Sequence, residues 1–445
     1  MLAANLGNHA GGKSLVFSAA AAFLVQGQGN LVVGLLLCEL SHFVDEGFRV
    51  TPAVSRFQWQ LDHAVFGGPS LPAQMQDRLM LCGSLFRCNI LERVMHDGTK
   101  IKACAGADSF RREERVAAHL EAARQQVQAM GDPRADESAR QRAARQRAVR
   151  ERQRGLEQAL EQLGKIREVK SGTPAQESAR VSLTDPEARI MKQSDGGYAP
   201  SYNVQLSTEA SHKIIVGAGV SQSASDYGEL IPAVERVEEN LGHKPQQMVT
   251  DGDFTSRQNV LEMEAKGVDL IGSMGEGQAQ SAGQMKRRGV AEEFYPEAFV
   301  YDAAQDSYRC PAGQTLRHTG QEQRPGVVQH QYRAEEKVCA ACPFKAQCCP
   351  QNTSNGRSIT RAVEAPQVQA FAQKMQTEGA KRIYRQRGAI AEFPNAWIKE
   401  KLGLRQFRLR GVAKVLLEVL WAALTYNIQQ WIRLRWRPGL AATTS

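Results

Sequence analysis

The sequence lacks a hydrophobic run long enough to cross a membrane. Its most apolar stretch, at 14–25, is followed by polar residues at positions 26, 28 and 30, whereas a membrane-spanning helix needs about 20 consecutive apolar residues. A secretory signal peptide starts with basic residues, and only Lys13 precedes this stretch. We therefore expect a buried helix at 14–25 and a protein that is neither secreted nor inserted in a membrane.

Two further features are missing from the sequence. It has no Gly-rich phosphate-binding loop, which disfavours a reaction driven by ATP. It also has no chain-wide pattern of paired cysteines, because five of its nine cysteines fall between Cys310 and Cys349. Cysteines clustered in this way indicate a local metal site in a reducing compartment rather than a disulfide framework.

The chain is instead rich in basic residues. Its formal net charge is +9 at pH 7, and a basic excess of this size favours a polyanionic partner such as nucleic acid. The hydrophobic content of 42% and the charged content of 23% are ordinary for a soluble protein. The length of 445 residues allows about two to four domains.

Periodicity predicts helices in the first part of the chain. Apolar helical runs occur at 31–43 and 76–91. The segment 110–166 is rich in Ala, Arg, Glu and Gln, and its arginines recur around the whole helix, which favours a solvated or DNA-facing helix over a core helix. Asp132-Pro133 should break this segment into a helical hairpin.

The rest of the chain predicts an alternation of strands and helices. A strand at 93–96 leads into Asp97-Gly98, which we interpret as a turn. Period-two alternation predicts two antiparallel strands within 198–221. The elements predicted next are a helix capped by Asp226 and ended by Gly242, a strand closing on Asp251-Gly252, a helix at 256–266 and a strand at 268–274. We expect loop structure from 275 to 359 and helices from 365 to 437.

Three acids form a candidate metal site. Asp97 and Asp251 each follow a short apolar strand and precede a glycine. Taken alone, this pattern is more often a turn than a site, but ligands of open α/β sheets bind at the edge where such residues lie. Glu392 has apolar neighbours inside a basic segment. Three carboxylates offer the hard oxygen ligands that Mg²⁺ prefers, and two such ions can promote phosphoryl transfer.

Several motifs occur together in order along the chain. They are DGTKIKA at 97–103, SFRREE at 109–114, VTDGDFTSRQN at 249–259, the Cys-rich block, and the series Tyr384, Arg387, Glu392 and Lys399. Together they resemble bacterial insertion-sequence transposases of the DDE superfamily. The resemblance implies an α/β fold, with an RNase H-like mixed sheet core, a long helical insert and a Cys-rich, zinc-binding insert.

The resemblance also implies a catalytic mechanism. In such transposases two aspartates and one glutamate bind two divalent ions, Mg²⁺ or Mn²⁺, for strand cleavage and strand transfer. By position, Asp97 is the first acid, Asp251 the second and Glu392 the third. The implied partner is double-stranded DNA, both as the transposon ends and as the target. The implied location is the bacterial cytoplasm, in association with the nucleoid. Whether the chain acts as a homodimer stays open.

The resemblance suggests domain bounds, and it has departures. We expect an N-terminal helical region at 1–90, the first core strand at 91–108, a basic helical insert at 109–180, the sheet core at 181–274, a Cys-rich insert at 275–362 and a C-terminal helical part at 363–445. LAANLGNHA at 2–10 resembles the middle of the family's DNA-binding region, which suggests a truncated or rearranged copy. The Arg387–Glu392 spacing is one residue longer than is common, and Asp253 stands where relatives often have glycine.

The cysteine block predicts a structural zinc site. Cys339 and Cys342 form a CxxC turn, which supplies two of the four ligands that tetrahedral zinc needs. Cys310 and Cys348, or Cys349 in place of Cys348, would complete the set. The alternative is a group of reduced thiols without a metal.

Basic residues near the acids are predicted to grip the DNA backbone. They are Lys100, Arg385, Arg387, Lys399, Arg405, Arg408 and Arg410. Pro394 disfavours helix at the preceding residue, so we predict that Glu392 lies at a helix break beside the sheet edge. Two other functions stay open: a catalytically impaired DNA-binding remnant, and an RNase H-like metal-dependent nuclease without strand transfer.

Overall fold

The computed structural model describes residues 92–131, 138–170, 172–274, 277–351 and 356–436. The predictions for 1–90, for the break at Asp132-Pro133 and for Arg437 lie outside the described residues. The described chain as far as Asn427 belongs to one compact unit, and 428–436 belong to another. The domain bounds expected from the sequence stay a prediction.

The described chain is a mixture of strands and helices. Its strands are β1 Arg93–Lys102, β2 Phe110–Arg111, β3 Val181–Ser182, β4 Arg189–Lys192, β5 Tyr198–Glu209, β6 Ile215–Ser221, β7 Gln247–Val249, β8 Asp269–Ile271, β9 Val300–Asp302, β10 Ser307–Arg309, β11 Thr315–Arg324, β12 Val327–Ala334 and β13 Ser358–Glu364. Its α-helices are α1 Glu113–Gln128, α2 Ala139–Val169, α3 Thr173–Glu177, α4 Leu230–Leu241, α5 Arg257–Ala265, α6 Gly277–Arg287, α7 Glu336–Ala340, α8 Lys345–Cys348, α9 Pro366–Gln376, α10 Glu378–Arg385, α11 Phe393–Glu400 and α12 Val412–Trp431. The predicted α/β class is therefore confirmed.

A mixed sheet forms the centre of the fold. Its strands lie in the order β4-β5-β1-β7-β8, and β6 pairs with β5. Strand β5 is antiparallel to β1, β4 and β6, whereas β7 is parallel to both β1 and β8. The predicted order of a strand, a helical insert, two strands, a helix, a strand, a helix and a strand is confirmed, and the short strands β2, β3 and β4 were not predicted.

The interpretation of Asp97-Gly98 as a turn is wrong. Strand β1 continues through both residues, because it pairs with β5 from Val94 to Lys102. A Cβ at position 98 would lie 2.6 Å from Oδ1 of Asp226 and 2.7 Å from Nε2 of Gln205. The glycine therefore allows side chains to approach the strand, and it does not mark a change of direction.

Asp226 does not cap α4, contrary to the prediction. The helix starts at Leu230, and its N-cap position is held by Glu229 without a side-chain cap bond. The Asp226 carboxylate instead accepts hydrogen bonds from the side-chain amides of Asn203, at 2.6 Å, and Gln205, at 2.8 Å. These two amides lie on β5, so they draw Asp226 over the sheet and away from the helix end. The other end of α4 is as predicted, with Gly242 in the left-handed conformation.

The basic insert forms a helical hairpin, as predicted. Helices α1 and α2 pack through one small apolar cluster, to which they contribute the buried residues Val116, Leu120, Ala123, Leu156, Ala159 and Leu163. All the α2 residues in this cluster come from the second half of the helix. The expectation that α2 is not a core helix therefore holds only for its first half.

The prediction of loop structure at 275–359 is wrong. Strands β9 to β13 form a second, antiparallel sheet in the order β13-β12-β11-β10-β9. Its small core contains Phe299, Leu316, Tyr332 and Ile359. Strand β11 buries only Leu316, so its sequence lacks the apolar alternation that identifies a strand.

The C-terminal helices and the loop between them return to the central sheet. Ile390 and Ala391 are buried against Met95, Val249 and Ile271, which lie on β1, β7 and β8. Between α11 and α12 the chain runs beside the end of β1, where the Phe407 amide donates to the Lys102 carbonyl at 2.8 Å. Within the described ranges, no helix is both long and apolar enough to span a membrane.

Candidate active site

Three acids from distant segments meet at a single arginine. The Arg387 guanidinium lies 3.6 Å from Oδ1 of Asp97, 3.5 Å from Oδ2 of Asp251 and 3.1 Å from Oε1 of Glu392. The Arg387 side chain is only 15% exposed, so solvent screens its charge weakly. One cation therefore offsets part of the repulsion among three carboxylates.

Asp97 is the most enclosed of the three acids. Strand β7 pairs with β1 only as far as Met95, so the edge of β1 is free of β7 at Asp97. The Oδ2 atom of Asp97 accepts a hydrogen bond from the side-chain amide of Asn395 at 2.9 Å. Burial raises the pKa of Asp97 to about 6, and the charge of Arg387 and the Asn395 hydrogen bond partly oppose this rise.

Asp251 lies just beyond the end of β7, as predicted. Its side chain accepts a hydrogen bond from the amide of Gly252 at the start of a short 3₁₀ turn, Gly252–Phe254. Its carboxylate is 47% exposed, which leaves it open to a ligand. The nearby Asp253 is exposed, and in the described part of the chain it makes no ion pair with Arg387.

Glu392 lies on a widened helical turn. Residues Gly388–Glu392 form a π-helical turn between α10 and α11, and Pro394 follows in the first turn of α11. A π-turn takes up one residue more than an α-helical turn. The extra residue between Arg387 and Glu392 is thus absorbed locally, and the two side chains remain 3.1 Å apart. The predicted helix break is wrong, because Glu392 and Phe393 keep right-handed helical backbone and α11 already begins at Phe393. The chain departs from α-helix here only by the π-turn, and the Glu392 side chain is 56% exposed.

Helix α11 faces the strand that carries Asp97. Lys399 donates a hydrogen bond to Oγ1 of Thr99 at 2.6 Å, and burial lowers the pKa of Lys399. Because Thr99 lies two residues after Asp97, both side chains point to the same face of the sheet. Helix α11 is therefore attached to β1 by two polar contacts, one from Asn395 and one from Lys399.

A comparison with known families bears directly on this site. Residues 309–432 match the family model described as a transposase DDE domain. The match identifies a transposase DDE domain within the chain, over 124 of its 445 residues. The matched segment contains Glu392, whereas Asp97 and Asp251 precede it. No curated protein matches the transposase sequence.

The transposase site includes two polar residues that the sequence analysis missed. Asn395 holds Asp97, and Thr99 accepts from Lys399. Thr99 lies two residues after Asp97, which is the spacing of side chains on one face of a strand. Asn395 lies three residues after Glu392, which is the spacing of side chains on one face of a helix. That spacing was the available signal, but it does not tell which neighbour faces the acids.

His96 plays a structural part behind the site of the transposase. It is fully buried, and its ring nitrogens lie 2.9 Å from Oγ of Ser207 and 2.8 Å from Oε1 of Gln205. Burial lowers the pKa of His96 to about 3, so the ring is neutral at physiological pH. His96 is therefore a histidine of the core.

The basic residues predicted to grip DNA fall into two groups. Arg387 and Lys399 are largely buried and engaged with site residues. The exposed members are Arg385, Arg405, Arg408 and Arg410, and Lys100 is half-buried. Arg405 forms an ion pair with Glu400, and Arg410 donates to the Cys104 carbonyl at 3.2 Å. Arg387, which was predicted to contact DNA, thus forms its ion pairs with the three acids of the site.

The cysteines collect at one end of the second sheet. Cys310, Cys339 and Cys348 all pack against the Phe299, Leu316 and Tyr332 core. Two backbone amides point at sulfur, since Gln314 donates to Sγ of Cys310 at 3.2 Å and Arg357 donates to Sγ of Cys339 at 3.4 Å. The Sγ atoms of Cys348 and Cys349 lie 3.8 Å apart, which keeps both as candidate fourth ligands.

The donor sets suit metals, but their spacing is not yet that of a bound ion. Among the described residues, no group of three or more His, Cys, Asp or Glu side chains is close enough together to hold a metal. At the acidic site, the three carboxylates contact Arg387 instead. Their oxygens are nevertheless the ligands that Mg²⁺ prefers, so the donor set fits such an ion once the carboxylates close around it.

Proposed function

We propose that this transposase catalyses metal-dependent strand cleavage and strand transfer of an insertion sequence. The observation that carries the proposal is the meeting of Asp97, Asp251 and Glu392 at Arg387. Three acids, separated from one another by more than a hundred residues of sequence, converge on one cation where the parallel pairing of β1 and β7 ends. Surface charge alone does not explain such convergence, because Asp97 is 16% exposed and costly to bury.

We propose that the central sheet is an RNase H-like core. Its support is the strand order β6-β5-β1-β7-β8, with three antiparallel strands followed by two parallel ones. The first acid lies on the central strand β1, and the second lies after the neighbouring strand β7. The helical insert between β1 and β5 and the second sheet after β8 are additions that leave this order intact.

The proposed chemistry is in-line displacement at phosphorus. In cleavage, a water oxygen attacks the scissile phosphate and the 3′-oxygen leaves with a proton; in transfer, that 3′-hydroxyl attacks a target phosphate and another 3′-oxygen leaves. Divalent ions bound by the three carboxylates would activate the attacking oxygen and stabilise the leaving oxygen. Arg387 would release the acids and neutralise the phosphate, while Asn395 and Lys399 hold β1 and α11 in place.

The test uses the full chain and its own DNA context. The substrate is a supercoiled plasmid that carries a marker between the two DNA segments that naturally flank the coding sequence. The reaction contains Mg²⁺ or Mn²⁺ and a second plasmid as target. We expect nicking at the flanks and joining to the target. Asp97→Asn, Asp251→Asn and Glu392→Gln should each reduce nicking by about 100-fold or more, whereas Asp253→Asn serves as the matched control.

The outcomes separate the three candidate functions. Nicking without joining favours the RNase H-like nuclease. DNA binding without metal-dependent nicking favours the catalytically impaired remnant. If Asp251→Asn nicks as fast as the unchanged protein, the assignment of the three acids is overturned.

We further propose a structural zinc site formed by Cys310, Cys339, Cys342 and Cys348. The proposal is supported by the shared packing of three of these thiols and by the two amides that donate to sulfur. Such N–H donors stabilise thiolates, the form that binds zinc. We expect one zinc per chain by elemental analysis, lost in Cys339→Ser. Retention in Cys348→Ser but loss in Cys349→Ser would assign the fourth ligand to Cys349, and metal-free purified protein would overturn the site.

A further inference from the structure

The two halves of α2 differ sharply in charge. Residues 139–154 contain seven arginines and one glutamate. The half that follows packs against α1 and balances its charges, since Lys165 pairs with Glu161 at 2.7 Å and Arg167 pairs with Glu113 at 2.7 Å. The hairpin therefore presents one neutralised half and one strongly basic half.

Four of the arginines line up on one side of the basic half. Arg140, Arg147, Arg150 and Arg154 are all exposed, and at 100° per residue they fall within an arc of about 80°. Their span of fourteen residues corresponds to about 21 Å of helix. The last three border one shallow depression, lined by Ala143, Gln146, Arg147, Arg150, Glu151 and Arg154. We name these four residues the arginine face.

The arginine face points away from the packed side of the helix. The buried apolar residues of α2 that pack against α1 are Leu156, Ala159 and Leu163, which lie on the opposite side of the helical wheel. Within the described ranges, none of the four arginines has a carboxylate at ion-pair distance. Four exposed cations on one face repel each other, so folding alone does not account for their placement.

The chemistry of this face suits a phosphate backbone. Duplex DNA carries one negative charge per about 1.7 Å of its axis, so a row of cations over about 21 Å can meet several phosphates. Arginine binds phosphate through a planar, two-pronged donor set, which lysine lacks. A lipid surface is a poorer match, because the residues that line the depression are polar or charged apart from Ala143, whose methyl group offers little apolar surface to insert among acyl chains.

We propose that the arginine face binds the backbone of duplex DNA, as a contact surface separate from the three acids. The choice of DNA rests on the proposed transposase function, since charge alone also suits duplex RNA. Such a surface would hold DNA through its phosphates without reading its sequence. It would add affinity and salt dependence and leave the chemistry at Asp97, Asp251 and Glu392 unchanged.

The test measures binding without catalysis. The full chain and its variant Arg140→Gln/Arg147→Gln/Arg150→Gln/Arg154→Gln are titrated against a fluorescent random-sequence duplex in EDTA at several NaCl concentrations. Glutamine has nearly the helix propensity of arginine, so α2 should persist. Each lost phosphate contact should reduce the magnitude of the negative slope of log K against log salt by about 0.9, or by about 3.6 if all four arginines bind phosphate.

A matched control removes cations from the other half of the same helix. Lys165→Gln/Arg167→Gln/Lys170→Gln should keep the salt dependence of the unchanged protein, because two of these residues are already paired and none belongs to the arginine face. Circular dichroism must show equal helix content in all three proteins. An unchanged slope in the fourfold variant, or an equal loss in the control, overturns the proposal.

Two further results separate this proposal from the proposed function. If the fourfold variant loses binding to duplex RNA but not to duplex DNA, the assignment to DNA is overturned. An unchanged slope in a chain that still cleaves its flanking DNA overturns the arginine face alone. A reduced slope in a chain that never cleaves DNA supports the arginine face and overturns the proposed function instead.

Discussion

Arginine occurs in two opposite settings in this transposase. At the acidic site, Arg387 is 15% exposed and contacts three carboxylates from three segments of the chain. On α2, the arginine face is exposed and has no acidic partner in the described part of the chain. At the acidic site the position of the arginine matters, because the geometry of the site depends on the packing of β1, β7 and α11. On α2 the density of positive charge matters, because the arginines all come from one face of a single helix.

Basic residues therefore have two different roles in this protein. A cation beside buried acids organises a site, and removing it should change chemistry and stability together. A cation on an exposed helix face acts through the electrostatic field that it forms together with its neighbours, and removing it should change only the binding of DNA.

The largest effect is expected at Arg387. Arg387→Gln should slow metal-dependent nicking by about 100-fold, because small displacements of catalytic groups cost about that much. The rate is measured on the flanking-DNA plasmid at saturating DNA, which removes effects on binding. Arg382→Gln, an exposed cation on the preceding helix, is the control. Equal losses in the two variants would show that bulk charge matters and position does not.

A second prediction concerns the pH dependence of stability. The pKa of Asp97 in the folded protein is about 6, above its ordinary 3.8, so the folded state binds this proton more tightly than the unfolded chain does. Stability from this proton is present below pH 3.8 and is lost as the pH rises through about 6. Asp97→Asn should therefore raise the free energy of unfolding by about 1–3 kcal/mol at pH 8 and by much less at pH 4.

Urea denaturation in EDTA checks this pH dependence. The control is Glu151→Gln, an exposed acid beside the arginine face, which should change the free energy of unfolding by less than about 0.5 kcal/mol at either pH. If Asp97→Asn raised the free energy of unfolding by the same amount at pH 4 and pH 8, the raised pKa of Asp97 would be contradicted.

A third prediction tests how tightly the sheet behind the site is packed. Gly98→Ala should lower the free energy of unfolding by about 1–2 kcal/mol, because its Cβ would lie 2.6 Å from Oδ1 of Asp226. That oxygen is held by Asn203 and Gln205, so it cannot move without breaking hydrogen bonds. Thermal or urea unfolding measures the loss, and a neutral result would mean that Asp226 moves freely.

The smallest effect is expected on α2 and has the opposite sign. Gly155 lies within the helix, and a Cβ there would meet nothing within 4 Å. Gly155→Ala should therefore raise the free energy of unfolding by about 0.5–1 kcal/mol, through helix propensity alone. The same denaturation experiment reports it, with Gly98→Ala as its counterpart. A loss of stability would show that α2 is packed more closely at this point than its surface suggests.

The sequence predicted the elements of the central sheet better than their ends. Asp97-Gly98 carries a turn signal, yet pairing with β5 along nine residues of β1 keeps the strand extended. Strand β11 was missed because it buries a single leucine, so nothing in its local pattern distinguishes it from loop. In both cases pairing with a neighbouring strand overrides the local signal.

The candidate site was predictable in part. Motif and context pointed to Asp97, Asp251 and Glu392, and their catalytic role stays a proposal. The parts played by Asn395 and Thr99 were missed, because they contact partners about 300 residues away in sequence. The longer spacing from Arg387 to Glu392 also needed the structure, which shows the extra residue in a π-turn.

The positions of charged residues and the places where hydrophobic periodicity stops are local properties of the chain, so they can be read from the sequence alone. The acids, the CxxC turn and the basic half of α2 are specified in this way. Which cation meets the acids is instead a property of the tertiary structure. That choice depends on the register of β1 against β5 and β7 and on one widened turn before α11, and such long-range packing brings Arg387 to Asp97 while leaving the arginine face of α2 in solvent.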